Sequence, residues 1–123
     1  MMAESIQTRE TMFDPQTFTE LSLKPISGYG TASTDVNTLR SLEGDESTLL
    51  ISDISVIASD DLTITFYDGE SIVYKMVVVG TANVDKSFKK PLVFKTGIST
   101  QCDSNSAEVF ISGMATYKKQ VSE

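Results

Sequence analysis

Apolar side chains recur at every second position in several short runs of this chain, a spacing that leaves few folds open to it. In the run 62–67, three apolar residues alternate with polar ones, as in a β-strand with one face on a core and the other in solvent. Asp68 and Gly69 follow, a pair that favours the tight turn of a hairpin. We therefore predict two antiparallel strands over 62–67 and 71–79.

The second strand of this hairpin is apolar on both faces over its second half. Tyr74, Met76 and Val78 lie on one side of it, and Val77 and Val79 lie on the other. A strand with two apolar faces is expected either in the centre of a sheet or at a surface that a partner covers.

Five further runs have strand-like composition and are separated by turn-forming residues. They cover residues 21–26, 48–58, 91–95, 98–102 and 107–117. The run 21–26 contains a proline, which suits an edge strand. Residues 35–40 are the one stretch with a faint helical character, too short for more than a turn or two.

The order of these runs predicts the fold class. About seven or eight short strands, with turn formers between them and no long helix, indicate an all-β protein. We predict an antiparallel β-sandwich, jelly-roll-like or Ig-like. Within it, Leu50 is expected to share a buried face with Ile54, Cys102 to point into the core, and Gly113 to mark a bulge or a close approach.

The first 20 residues are polar and are predicted to form an N-terminal arm ahead of a β-sandwich domain over residues 21–123. Phe13 and Phe18 stand out in this arm, because burying a large ring contributes about 1.5–3 kcal/mol. We predict that both rings anchor the arm, either on its own domain or on a neighbouring chain. The arm has no apolar run of signal-peptide length.

Charge and residue inventory exclude several function classes. Ten Lys and Arg against 17 Asp and Glu give 10 − 17 = −7, a field that repels nucleic acid and anionic membranes. No apolar stretch is long enough to span a bilayer. The chain has no His, no Trp and one Cys, which excludes His-dependent triads and standard structural zinc sets. We expect no enzyme activity, no cofactor and no metal site.

Several acidic side chains lie in predicted turns, where solvated carboxylates are the expected state. Asp68 and Glu70 flank a turn glycine without the pattern of a paired catalytic site. The loops at 43–46 and 103–105 offer oxygen ligands for calcium, but neither follows the EF-hand pattern. Cys102 has no His to activate it, so a buried free thiol is favoured over a nucleophile.

A small basic cluster surrounds an aromatic ring shortly before the run 91–95. It consists of Lys86, Phe88, Lys89 and Lys90. On an acidic protein, a basic loop of this kind suits an acidic partner surface. We predict that it is a partner-binding loop that acts beside the arm.

Three segments near the C-terminus carry a resemblance. They are Pro-Leu-Val-Phe-Lys-Thr-Gly-Ile at 91–98, Ala-Glu-Val-Phe-Ile at 107–111 and Ala-Thr-Tyr at 115–117. In strand order and turn placement they resemble the closing strands of small β-sandwich virion proteins of tailed bacteriophages, the capsid decoration or cement group. The resemblance implies a non-enzymatic protein, often a trimer, with a terminal arm lying across capsid subunits. The implied partners are the major capsid protein or other virion proteins, and the implied location is the virion.

A second function stays open, a carbohydrate- or receptor-binding module of a tail fibre or cell surface. β-Sandwiches host many unrelated functions, and their loops can present sugar sites. Tyr29 and Tyr67 are the candidate rings for such a site. The lack of Trp and the aromatic content of 8% count against it, because sugar platforms depend on exposed rings.

Overall fold

The computed structural model describes residues 13–14 and 19–120 of the chain. Nine strands account for most of these residues. They are β1 (Phe13–Asp14), β2 (Thr19–Ala32), β3 (Asn37–Ser41), β4 (Glu46–Ala58), β5 (Leu62–Asp68), β6 (Ser71–Val78), β7 (Ala82–Phe94), β8 (Gly97–Cys102) and β9 (Ala107–Gln120). Across the part of the chain described, no helix is long and apolar enough to cross a membrane.

The strands form two antiparallel sheets. One has the order β1-β2-β9-β4-β7 and the other the order β3-β8-β5-β6. The pairing is nested along the chain, since β2 pairs with β9, β3 with β8, β4 with β7, and β5 with β6. A chain wound in this way across two sheets is a jelly roll. The predicted all-β sandwich is therefore confirmed, and of its two variants the jelly roll is the one present.

The core lies between the two sheets and is built by alternate residues of their strands. Its largest fully buried apolar side chains are Leu49, Ile51, Ile54, Val56, Ile64, Phe66, Val78, Phe94, Ile98 and Val109. Cys102 is buried as predicted. Side chains from every second position fill this space because successive residues of a strand face opposite ways.

Gly113 lies where β9 and β4 approach most closely. A Cβ atom on this residue would stand 2.0 Å from the backbone oxygen of Leu50. The register between the two strands also shifts between Ser112 and Gly113. The predicted bulge with close approach is confirmed.

Three sequence-based expectations are wrong. Residues 37–41 form strand β3 rather than a helical turn, and they pair with β8. Leu50 does not share the buried face of Ile54, because a register shift between Ile51 and Asp53 gives the core positions to Leu49 and Ile51. The strand predicted over 91–95 begins earlier, at Ala82, so the basic run lies within β7 and not in a loop.

The position of β6 excludes one of the two explanations for its apolar faces. β6 pairs with β5 and lies at the end of its sheet, so it is not a central strand. Val77 is 68% exposed there. The explanation that requires a central strand is therefore excluded, and cover by a partner stays a prediction.

Candidate protein-binding surfaces

The outer face of the five-stranded sheet carries an exposed aromatic pair. Tyr29 on β2 lies directly opposite Phe110 on β9 in the antiparallel register. Their ring centroids are 4.6 Å apart with the planes tilted by 37°. Both rings are accessible, with exposed fractions of 57% and 39%. Stacked rings of this kind present a rigid apolar surface to a partner.

Further large apolar residues extend this surface. Five of them together are called the outer apolar face: Leu23, Tyr29, Ile57, Val93 and Phe110. Met114 and Leu50 are cross-strand partners on the same side of the sheet, and Leu50 in turn pairs with Val93. Neighbouring strands β9, β4 and β7 therefore carry an apolar row, formed by Met114, Leu50 and Val93.

A polar strip adjoins the aromatic pair. Asp53 accepts hydrogen bonds from the hydroxyls of Ser87 at 2.6 Å and Ser52 at 2.9 Å, which lower the pKa of its carboxyl. Asp85 on the neighbouring strand accepts a hydrogen bond from Ser55. A shallow depression of about 220 Å³ is lined by Phe110 together with Asp53, Ser55, Asp85 and Ser87. The strip combines charge, hydroxyls and an aromatic edge.

The arm residues differ in how far the structure describes them. Phe13 lies in the two-residue strand β1, where it pairs with Glu20 at the start of β2. Phe18 lies outside the described residues. Phe13–Asp14 thus forms a two-residue strand at one edge of the five-stranded sheet.

The predicted basic cluster lies on β7 at a pronounced bulge. Ile51 pairs with Leu92 and Asp53 pairs with Ser87, so four residues of β7 have no counterpart on β4. Phe88 in this bulge is half-buried against the core and meets Tyr74 edge-on, with centroids 5.1 Å apart.

The bulge separates the members of the basic cluster. Lys86, Lys89 and Lys90 are exposed, whereas the ring of Phe88 is not free to stack on a ligand. The lysines alone remain available to a partner.

A buried ionic cluster at the opposite side of the sandwich has no signal in the sequence. The carboxylate of Glu46 receives two hydrogen bonds from the Arg40 guanidinium, each 3.0 Å long. Lys24 adds an ion pair at 3.1 Å. These residues come from β2, β3 and β4, and their spacing along the chain gives no hint of the contact.

Arg40 and Glu46 each stabilise the ionised form of the other. The hydrogen bond from Arg40 is the main reason that the pKa of Glu46 falls to about 2, against the opposing effect of its burial. The same bond raises the pKa of Arg40. Glu46 belongs to one of the two loops considered for calcium, and its carboxylate is occupied by protein groups instead.

Other acidic side chains also serve as internal acceptors. Asp68 accepts hydrogen bonds from the backbone N–H of Lys95 at 2.9 Å and of Thr96 at 2.8 Å, and from the Thr96 hydroxyl at 2.6 Å. Burial opposes its ionisation, but these bonds together outweigh burial and lower its pKa. Asp103 accepts the backbone N–H of Thr63 at 2.9 Å. Asp68 was expected to be solvated, and it instead ties the β5–β6 turn to the β7–β8 turn.

The remaining candidate groups are separated from these surfaces. Burial, with a further effect of Asp103, raises the pKa of the Cys102 thiol, as expected of an unreactive cysteine. Tyr67 lies on the outer face of the four-stranded sheet, where its hydroxyl is 3.4 Å from Gln101. It therefore cannot share a platform with Tyr29, which lies on the opposite sheet.

Comparisons with known proteins give little further information. No protein-family model matches the chain, and no curated protein matches it. One similar solved structure is a chain of the Bacillus endospore appendages, which form disulfide-linked pili. It shares 11% identity over 80% of this chain and 88% of that chain, with a TM-score of 0.44. A similarity at this level supports no conclusion about function.

Proposed function

We propose that this protein is a non-enzymatic structural protein of a phage virion, a capsid decoration or cement protein that binds the assembled coat lattice. The observation that carries an adhesive role is the outer apolar face. Its five large apolar residues are between 39% and 57% exposed on one surface of one sheet. Apolar side chains grouped in this way are typical of a surface that another protein covers.

The residue inventory favours adhesion over catalysis. The sequence contains no His, and its one thiol is buried with a raised pKa. Three surface depressions formed by the described residues are open to solvent, with volumes of about 220, 240 and 340 Å³. An open sheet face that combines exposed apolar side chains with a polar strip suits a protein partner better than it suits a small substrate.

The proposal that this protein is located in the virion depends on the resemblance of residues 91–117 to capsid decoration proteins. On this proposal the partner is the major capsid protein and the protein is a trimer. A protein that binds only the assembled lattice stabilises it by mass action. Weak contacts from three copies add through effective concentration. Phe13 and Phe18 are proposed arm anchors, and Lys86, Lys89 and Lys90 form a second contact.

The test is binding to virions of the phage that encodes the chain. Purified particles are stripped of the protein, incubated with the recombinant chain and sedimented, and the bound chain is quantified. We expect saturable binding and a higher temperature of particle disruption. Replacement of both exposed rings, Tyr29→Ser with Phe110→Ser, is expected to reduce binding at least tenfold.

The matched control is Val36→Ser, which removes an apolar side chain that is 60% exposed outside the outer apolar face. This variant is expected to bind like the wild type. Absence of the chain from virions, or equal binding by the ring variant and the control, contradicts the proposal.

One observation favours a second candidate, a carbohydrate-binding module. The Tyr29–Phe110 ring pair lies beside the Asp53, Ser55 and Asp85 side chains, and rings next to polar acceptors suit a sugar. A glycan array probed with the wild type and the ring variant separates the two functions. Glycan binding that the ring variant loses supports this candidate, and a blank array excludes it.

A further inference from the structure

Strand β6 is an edge strand that exposes large apolar side chains, and its protective features are few: a one-residue bulge at Val73 and one lysine. It runs for eight residues, contains no proline, and carries Lys75 as its one charged side chain. Ile72 and Val77 are 57% and 68% exposed, and Val79 directly after the strand is 74% exposed. A long apolar edge of this kind presents free backbone groups that another strand can pair with.

The other three edges of the sandwich are protected. β7 has a four-residue bulge, Pro91 and three exposed lysines. β3 has five residues and a register shift between Thr38 and Arg40. β2 contains Pro25 and is already paired with β1 at its start. β6 has only a one-residue bulge and one lysine beside the exposed Ile72 and Val77, and this combination points to an interface.

The charge around β6 indicates the partner. The contact of Tyr74 with Phe88 brings the β7 bulge next to β6. Lys75, Lys89 and Lys90 are exposed on this side, whereas the acidic side chains lie at the two ends of β6, where Glu70 precedes the strand and Asp61 accepts the Gly80 N–H after it. An acidic extended segment complements this side of the sandwich.

The first residues of this chain have that character. Residues 1–14 contain Glu4, Glu10 and Asp14 against one basic residue, Arg9. The end of this segment already behaves as an added strand, since Phe13–Asp14 pairs with β2. We propose that residues 1–12 of one copy add as a strand to the β6 edge of a second copy, an inference that rests on the proposed role of this segment as an arm.

The length of residues 1–12 favours docking on a second copy over docking on the same copy. Twelve extended residues reach about 40 Å. The arm begins beside β2, and three interstrand spacings and one sheet spacing separate β2 from β6 of the same chain, about 24 Å in all. The remaining length allows pairing with only about five residues of its own β6. On a neighbouring copy the segment can pair along all eight residues of β6.

Exchange of this kind joins two different surfaces of neighbouring copies. The arm leaves from the β2 side and docks at the β6 side, so each copy is both donor and acceptor. Such a heterologous contact closes into a ring when the rotation permits and otherwise forms open chains. A trimer linked by arms is the closed case.

The experiment measures self-association of the purified full chain without particles. Sedimentation velocity over a range of concentrations gives the dissociation constant for the wild type and five variants. Val77→Glu places a negative charge on the β6 edge and is expected to weaken association at least tenfold. The matched control, Val36→Glu, makes the same exchange at a similarly exposed residue outside the strands and is expected to leave it unchanged.

Charge reversal in residues 1–12 tests whether this segment is what pairs with the β6 edge. Glu4→Lys with Glu10→Lys is expected to weaken association, because the lysines then oppose Lys75 and the lysines of β7. Adding Val77→Glu to this arm variant is expected to restore association in part, which only direct contact of arm and edge explains. Raising the salt concentration is expected to weaken wild-type association.

Three results overturn the inference. A wild type that stays monomeric at all concentrations excludes arm exchange, and so does a Val77→Glu variant that associates normally. Removal of residues 1–12 with no loss of association shows that the β6 edges of two copies pair directly. Particle binding is measured separately, so binding to virions without self-association overturns only this inference, and self-association without binding overturns only the proposed function.

Discussion

Arg40 and Glu46 face each other through two parallel hydrogen bonds, each 3.0 Å long, in a contact that closes one side of the sandwich. The Glu46 side chain is 1% exposed and that of Arg40 is 11% exposed. Lys24 from β2 completes the cluster. Charges that are buried together depend on each other, because removal of one leaves the rest without compensation.

We expect Glu46→Gln to destabilise the fold by about 3 kcal/mol, since it leaves Lys24 without its partner and the largely buried Arg40 with only the exposed Glu43 carboxylate nearby. The control is Glu43→Gln, whose side chain is 71% exposed and lies 3.7 Å from Arg40. That change is expected to cost less than about 0.5 kcal/mol. Urea unfolding of both variants measures the difference, and equal costs would show that the buried cluster contributes nothing special.

The same pair predicts how stability depends on pH. The folded-state pKa of Glu46, about 2, lies below the ordinary value of 4.5, so its contribution is fully present above that ordinary value. It is lost as the pH falls through this window toward 2. Unfolding free energies measured from pH 7 to pH 2 are expected to fall more steeply for the wild type than for Glu46→Gln. Parallel curves for the two proteins contradict this assignment.

The strands could be predicted from the sequence because their alternation is local. The run 62–67, the turn at Gly69 and the inward position of Cys102 each follow from neighbouring residues alone. The ionic cluster could not be predicted, because Lys24, Arg40 and Glu46 meet only after three strands are arranged.

Bulges account for the incorrect assignments. Leu50 faces outward because the β4 register slips by one residue near Asp53, and alternation cannot reveal a slip that depends on the partner strand. For the same reason the extra residues 88–91 of β7 had the appearance of a loop. Phe88 was expected to contact a partner and instead packs on Tyr74, a contact between two sheets that sequence spacing does not encode.

Gly113 offers a sharp test of the close contact between β9 and β4. An added Cβ would stand 2.0 Å from the Leu50 backbone oxygen and 2.9 Å from the Ile51 Cα, and neither backbone atom can move without shifting the strand. Gly113→Ala is therefore expected to cost about 2–4 kcal/mol. Gly44→Ala is the comparison, because Gly44 has a φ of +59° and open space around it. At Gly44 only the backbone strain of alanine at positive φ is expected, about 1 kcal/mol. Equal losses of unfolding free energy in the two variants would refute the close contact at Gly113.

Replacement of the buried Thr100 is expected to increase the stability of the fold. Its side chain is 1% exposed in the core, and its hydroxyl oxygen has no hydrogen-bond partner among the described residues. Valine has nearly the same shape without the hydroxyl, so Thr100→Val is expected to stabilise the fold by about 1–2 kcal/mol. Thr65→Val on the outer face of the same sheet makes the same exchange at a half-buried site, and it is expected to stay within about 0.5 kcal/mol of the wild type. Thermal and urea unfolding of both variants measure the effect. A loss of stability in Thr100→Val would mean that the hydroxyl is bonded in solution.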